Sequence, residues 1–175
     1  MNVPPLELKD RKIISEIPPE TRTILTVGCG QGRLEHYLDG YKVYATDIEP
    51  RDEMYVEFHK SDIFYLGSFP VKEADVVICS QVLEHLREYK KALRNLIRLT
   101  SNKLIITVPH KRSFDDPDHK NYWDDTGTNG FKPITDLTSA IPNSPTIKKM
   151  ITKQKDLQNG SRGYLITFRK DVVDD

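Results

Sequence analysis

The segment TVGCGQGRLEHYL, from Thr26 to Leu38, decides how the fold of this chain is interpreted. Its glycines stand at alternate positions, Gly28, Gly30 and Gly32, between an apolar run and apolar residues at helical spacing. Because glycine lacks a Cβ atom, it allows the backbone to turn tightly and to approach a ligand closely. A strand, a glycine-rich turn and a helix in this order predict a ligand site at the carboxyl end of a strand in an α/β sheet.

The patterns around this loop predict a Rossmann-like, doubly wound α/β fold. Apolar, β-branched runs alternate with helical patterns, and the clearest helix spans Leu83 to Thr100 with apolar residues at i, i+3, i+4 and i+7. The sheet is expected to have about seven strands, mostly parallel, with a closing β-hairpin. The predicted strands are Arg22–Val27, Lys42–Ile48, one within Tyr55–Ile63, Ala74–Ser80, Asn102–Pro109 and two more in 146–155 and 163–170. Shorter helices are expected at 34–38, from Pro50 and within 132–141.

The composition points to one domain of 175 residues, with an N-terminal segment at 1–20 and an irregular polar loop at 110–130. The formal net charge is zero, so no global field attracts nucleic acid or an anionic membrane. No apolar stretch has the length of a signal peptide or a membrane span. The only cysteines, Cys29 and Cys79, make neither a disulfide framework nor a metal pair. We therefore expect a cytoplasmic protein.

The spacing of the glycines excludes two common phosphate-binding loops. A P-loop requires Gly-Lys-Ser/Thr, but Gly32 is followed by Arg33 and Leu34. A dinucleotide-binding loop needs a small residue three positions after its second glycine, and Arg33 occupies that position. The Gly-x-Gly-x-Gly loop therefore suits a ligand that carries no pyrophosphate.

Acidic residues at the ends of the next two strands indicate a nucleoside ligand. Asp47 ends the second strand, where a carboxylate can accept hydrogen bonds from both ribose hydroxyls, although it can also cap a helix. Asp62 and Ile63 follow the third strand and suit an adenine ring, since the acid can accept from the exocyclic amine while the isoleucine packs on the ring.

Four segments in register resemble the class I S-adenosylmethionine-dependent methyltransferases: ILTVGCGQGRL, YATDIEP, KSDI and ADVVICSQVLEHL, spread over Arg22–Pro109. The resemblance implies S-adenosyl-L-methionine as the cofactor. It also implies the cofactor-binding residues Val27, Gly28, Cys29, Gly30, Gly32, Asp47, Ile48, Asp62, Ile63, Ser80, Gln81 and Val82. One position departs from the family, because the acid that often stands two residues before the first glycine is Thr26 here. This substitution weakens the expected grip on the methionine amine.

The residues after the fourth strand narrow the choice of methyl acceptor. They read Ser80-Gln81-Val82-Leu83, unlike the Asn/Asp-Pro-Pro-aromatic of many amine-methylating relatives, and the chain has no Pro-Cys pair of the cytosine-C5 type. His85 and His119 are the candidate catalytic bases for a hydroxyl acceptor. A structural hydrogen bond at a helix start is the alternative for His85. The leading acceptor is a small molecule or a sugar-type hydroxyl, such as that of a glycan, with neither a membrane nor nucleic acid as the expected partner.

Two other functions stay open. Glu84, His85 and a later histidine resemble the metal site of the small-RNA 3′-end 2′-O-methyltransferases, which carry Glu-x-x-Glu-His. Here the first acid is replaced by Gln81, a poor metal ligand, so we expect no metal. The second alternative is a protein that binds S-adenosylmethionine as a partner or regulatory subunit and has no transferase activity.

The loop at 110–130 is expected to form part of the acceptor site. It is polar and turn-rich, yet it carries Phe114, Tyr122 and Trp123. A mobile lid that closes over the acceptor is the leading interpretation. The alternative is a flap whose aromatic residues pack permanently on the domain.

Overall fold

The structure is a computed structural model that describes residues 5–51, 54–110, 117–128, 130–143, 145–151 and 162–170. The strands are β1 (Thr23–Val27), β2 (Lys42–Asp47), β3 (Glu57–Lys60), β4 (Ala74–Ser80), β5 (Thr100–Pro109), β6 (Trp123–Asp124), β7 (Lys132–Pro133), β8 (Thr146–Ile151) and β9 (Arg162–Arg169). The α-helices are α1 (Leu8–Ser15), α2 (Tyr89–Leu99) and α3 (Ile134–Thr138). Single 3-10 segments occupy Glu35–Tyr37, Ile63–Ser68 and Leu83–His85.

Seven of the strands form one sheet in the order β3-β2-β1-β4-β5-β9-β8. The first five pair in parallel, and β9 pairs antiparallel with both β5 and β8. Strands β6 and β7 make a separate parallel pair. The expected Rossmann-like, mostly parallel seven-stranded sheet is therefore confirmed. The connection of the closing strands at 152–161 lies outside the described residues.

The apolar side chains of the sheet form two cores, one on each face. On one face, α2 buries Leu93 and Leu96 against Val77 and Ile106. On the other face, Ile13 of α1 packs with Ile24, Ile78 and Leu165. The central strands are buried on both sides, which explains their nearly continuous apolar sequence. Because the order reverses between β1 and β4, the carboxyl ends of these strands open a crevice where a ligand can enter.

The helix predicted from Leu83 begins only at Tyr89, and the backbone is extended at Leu86. The carbonyl of Glu84 accepts hydrogen bonds from the backbone N–H groups of Lys120 and Asn121, at 2.7 and 3.0 Å. The side-chain amide of Asn121 also donates to the carbonyl of Leu86, at 2.6 Å. These carbonyls are thus satisfied by a distant segment instead of by the next helical turn, which no local pattern reveals.

Other local predictions were also wrong in detail. The helix expected at 34–38 is only the 3-10 segment Glu35–Tyr37, and the described residues near Pro50 form no helix. The N-terminal segment at 1–20 contains α1, which the sequence pattern did not predict. The short helix expected within 132–141 is present as α3.

Candidate active site

The glycine loop is tied to the end of β2 and packs on the residues that follow β4. The backbone N–H groups of Gly28 and Cys29 both donate to the Thr46 carbonyl, at 2.8 and 3.1 Å. Gly28 and Gly30 have positive φ angles of 73° and 57°, which L side chains rarely adopt. A Cβ atom on Gly28 would lie 2.2 Å from Cγ2 of Val82. This glycine is therefore required by both its conformation and its neighbour.

The Asp47 side chain is hydrogen-bonded to the backbone of the glycine loop. Its Oδ2 accepts from the N–H of Gly30 at 2.8 Å, and its Oδ1 accepts from the N–H of Glu49 at 3.0 Å. The guanidinium of Arg51 lies 3.6 Å from Oδ1. These contacts orient the carboxylate at the rim of the crevice without using all of its acceptor capacity. Asp47 caps no helix in the described part of the chain, so that alternative is not supported.

A cavity of about 770 Å³ opens beside this loop at the carboxyl ends of β1, β2 and β4. Its opposite wall is formed by His85, Leu86, Asp118 and Lys120. Nine of the twelve predicted cofactor-binding residues line it, namely Val27, Gly28, Gly30, Asp47, Ile48, Asp62, Ile63, Gln81 and Val82. The topology therefore brings together residues that are spread over more than fifty positions of the sequence.

The apolar wall of this cavity differs in detail from the prediction. Ile48 is 60% exposed in the lining of the cavity. Ile63 is only 7% exposed and belongs mainly to the core. Asp62 also has a structural contact, because its Oδ1 accepts from the N–H of Phe64 at 2.9 Å and caps the segment Ile63–Ser68.

Two further predicted residues, Cys29 and Ser80, line a smaller cavity of about 260 Å³ that shares the glycine loop with the first. Its other walls include Lys9, Thr26 and Glu35. Gly32 is not among the lining residues of either cavity within the described chain. A Cβ atom on Gly32 would lie 2.8 Å from Cε of Met54, so this glycine serves the turn itself.

Both thiols are unreactive packing groups. Burial raises the pKa of Cys29 to about 12, with smaller contributions from the nearby acids Glu35 and Asp47. Burial also raises the pKa of Cys79, which is fully enclosed in the sheet. Because the thiolate is the nucleophilic form, burial disfavours the reactive state of both residues.

The structure brings His85 and His119 together, with Glu84 beside them. The two imidazole rings meet edge to face with their centroids 4.7 Å apart. Nδ1 of His85 lies 3.3 Å from the carbonyl oxygen of Asp118. The nearest ligand atoms of Glu84, His85 and His119 all lie within 4.8 Å of one another. Of the two histidines, His85 lines the large cavity, whereas His119 is not among its lining residues.

The described part of the loop at 110–130 is packed as a flap. Trp123 is fully buried in the core and meets the ring of Tyr89 edge to face at 5.4 Å. Asn121 is 3% exposed and is held by the carbonyls of Leu83 and Leu86. These contacts disagree with a freely mobile lid over 117–128, since opening it would expose an indole and break buried hydrogen bonds. Phe114 lies outside the described residues.

Several residues of the site carry no recognisable signal in the sequence. Asp118 and Lys120 form the far wall of the large cavity, and Lys9 and Glu35 form walls of the small one. Nothing in the local sequence identifies them, because charged residues at these spacings are typical of solvated helix faces and loops. Only the tertiary structure shows that Glu35 is 1% exposed.

Comparisons with known proteins agree with this fold. A family model described as a methyltransferase domain matches residues 25–106. A SAM-dependent methyltransferase from Archaeoglobus fulgidus has a similar structure, with a TM-score of 0.67, 19% identity and coverage of 91% of this chain and 90% of that chain. The 1,6-didemethyltoxoflavin-N1-methyltransferase of Burkholderia thailandensis was solved with 1,6-didemethyltoxoflavin and S-adenosylhomocysteine. It matches with a TM-score of 0.69 and 17% identity, and the match covers 95% of this chain and 80% of that chain. The small RNA methyltransferase HEN1 gives 0.68 and 17%, and the match covers 93% of this chain but only 25% of HEN1.

No curated protein sequence matches the chain significantly. None of the described helices is long and apolar enough to cross a membrane. The sheet order, the glycine loop and the strand-end acids define a Rossmann-like α/β protein with a cavity at the carboxyl ends of its strands. Residues 25–106 match the methyltransferase-domain model, and the chain has the fold of S-adenosylmethionine-dependent methyltransferases, which implies S-adenosylmethionine as the cofactor.

Proposed function

We propose that this enzyme transfers the methyl group of S-adenosylmethionine to a hydroxyl of a small molecule or a sugar, with His85 as the general base. The observation that carries the proposal is the position of His85, which lines the same cavity as the glycine loop and Asp47. An acceptor bound against His85 and Leu86 would share that cavity with the cofactor. Holding the acceptor oxygen in line with the methyl group supplies much of the acceleration in such a displacement.

The hydrogen bond of His85 defines which of its nitrogens can act as the base. The carbonyl oxygen of Asp118 can only accept, so Nδ1 of His85 donates to it at 3.3 Å. In the neutral imidazole, Nε2 then keeps a lone pair that can accept the proton of an acceptor hydroxyl. His119 lies against the ring of His85 outside the cavity lining and would act as a positioning residue.

The adenosine part of the cofactor would occupy the opposite end of the cavity. Asp47 is oriented there by the N–H groups of Gly30 and Glu49 and would accept hydrogen bonds from the ribose hydroxyls. The exposed Ile48 would pack on the adenine ring, and the free acceptor capacity of Asp62 would serve the exocyclic amine.

An acceptor screen that detects S-adenosylhomocysteine release tests the proposal. Small alcohols, phenols, monosaccharides, amines and thiols are compared at saturating cofactor. His85→Asn keeps a donor for the Asp118 carbonyl and removes the base, so turnover on a hydroxyl acceptor should fall by about 10²–10⁴-fold while cofactor affinity stays unchanged. His59→Asn, on the edge strand β3, is the matched control. Turnover of His85→Asn equal to that of the wild-type enzyme, or release only with amines or thiols, would refute the proposal.

The second candidate is methylation of a 2′-hydroxyl at an RNA end with a divalent metal. Its support is the convergence of Glu84, His85 and His119 within 4.8 Å, since carboxylate and imidazole groups are common metal ligands. A metal would use the imidazole lone pair that the leading proposal assigns to proton transfer. Activity on short RNA ends that disappears with chelator and returns with a divalent ion would favour this candidate.

A further inference from the structure

The smaller cavity beneath the glycine loop contains charged groups that the preceding chemistry does not use. It is enclosed by α1, by the end of β1 and by the segment that begins at Glu35. The cavity of about 260 Å³ shares Val27, Gly28 and Gly30 with the larger one. A ligand whose adenosine part fills the larger cavity can therefore extend its other end under the loop.

Glu35 places a buried carboxylate in this cavity. The residue is 1% exposed, and its Oε2 atom has no hydrogen-bond partner among the described residues. The same oxygen lies 4.0 Å from the position of a Cβ atom on Gly32, so it faces the glycine loop. Burial raises the pKa of Glu35, while a hydrogen bond from the Thr26 hydroxyl opposes this effect. A buried carboxylate with one unpaired oxygen is costly, and a cationic ligand group would reduce that cost.

The two basic residues in the cavity wall differ in their availability. Arg33 is held by acids of the N-terminal segment, with Nη1 2.9 Å from Glu7 and Nε 3.0 Å from Asp10. Lys9 also lines the cavity, and burial lowers its pKa despite the neighbouring acids. No ion pair joins Glu35 to Lys9 or Arg33 within the described ranges. The cavity thus presents one carboxyl group and one amine to a ligand that carries both an ammonium and a carboxylate group.

We propose that Glu35 binds the α-ammonium group of S-adenosylmethionine and that Lys9 faces its α-carboxylate. This inference rests on the assignment of the cofactor and deepens it. The position that often carries the acid for this amine is Thr26, and its hydroxyl contacts Glu35. Glu35, nine residues after Thr26, therefore supplies the carboxylate that β1 lacks, and both residues line the same cavity.

The test compares two ligands that share the adenosine and thioether groups. S-adenosylhomocysteine carries the amino-acid end, and 5′-methylthioadenosine lacks it. Glu35→Gln, which keeps the size of the side chain, should weaken S-adenosylhomocysteine about tenfold or more, because a charge-assisted hydrogen bond is lost. Lys9→Met should also weaken it, by a smaller factor. Neither variant should change the dissociation constant of 5′-methylthioadenosine, measured by calorimetry.

The controls and the contrary outcomes are distinct. Glu20→Gln and Lys12→Met are the control variants. Glu20 is exposed and lies before β1, at the opposite end of that strand from the cavity, and Lys12 is exposed on the same helix as Lys9. Both should bind either ligand as the wild-type protein does. Glu35→Gln with unchanged affinity for S-adenosylhomocysteine, or with equal losses for both ligands, would overturn the inference. A wild-type protein that binds neither ligand would instead overturn the cofactor assignment itself.

Discussion

Replacing Asp47 should weaken the cofactor by an amount that the geometry of the site bounds. The carboxylate accepts from the N–H groups of Gly30 and Glu49 at 2.8 and 3.0 Å and would accept further bonds from the ribose. A hydrogen bond to a charged group contributes about 1.5–3 kcal/mol. Loss of one ribose bond in Asp47→Ala therefore corresponds to an increase of about 10–150-fold in the dissociation constant. Release of the loop adds to this loss, so these values are a lower bound.

Asp47→Asn separates the two roles of this side chain. The asparagine keeps one carbonyl oxygen but presents an NH2 group to the second backbone donor, so it can satisfy either Gly30 or Glu49 and not both. Calorimetry with S-adenosylhomocysteine should rank affinity as wild type, then Asp47→Asn, then Asp47→Ala. Asp39→Ala, an exposed acid in the connection before β2, is the control.

A ligand comparison checks that the ribose is involved. The wild-type protein should prefer 5′-methylthioadenosine over its 2′-deoxy analogue, and Asp47→Ala should lose most of this preference. If Asp47→Ala binds S-adenosylhomocysteine within twofold to threefold of the wild-type protein, or keeps the full preference for the 2′-hydroxyl, the assignment of Asp47 to the ribose is wrong.

Four further results are expected. Once an acceptor is known, activity should survive a chelator, because Gln81 is a poor metal ligand; loss on chelation that a divalent ion reverses would contradict this. Hydrogen exchange at Asn121 and Trp123 should be slow in the free protein, and fast exchange there would restore the lid interpretation. Gly28→Ala should lower the melting temperature, since its φ of 73° costs about 1–2 kcal/mol before the clash with Val82; a Gly28→Ala, Val82→Ala double variant should recover only the clash. Burial raises the pKa of Glu35, so its favourable contribution to stability is complete at low pH and is lost as pH rises through that pKa. Glu35→Gln should therefore flatten this part of the stability profile of the free protein, and an unchanged profile in thermal unfolding would exclude the effect.

The sheet and one wall of the site follow from the sequence alone. Alternating apolar runs and helical patterns predict parallel strands, and parallel strands place their carboxyl ends at one edge. The positions of Gly28, Asp47 and Asp62 at or just after the ends of strands were therefore enough to predict that they meet. The spacing of the glycines and the position of Arg33 are likewise sufficient to exclude a pyrophosphate ligand, because both are read directly from the order of the residues.

Contacts between distant segments are set by the tertiary structure. Asn121 interrupts the predicted helix at Leu86, and the same segment brings His119 to His85 across 34 positions. Glu35 is 1% exposed and shares a cavity wall with Lys9 of α1, whereas its local sequence is that of an ordinary solvated helix face. The periodicity of apolar residues in the sequence indicates which side of a helix or strand is apolar. It does not record which distant backbone donor or charged group will meet that element, because this is set by the packing of the whole chain.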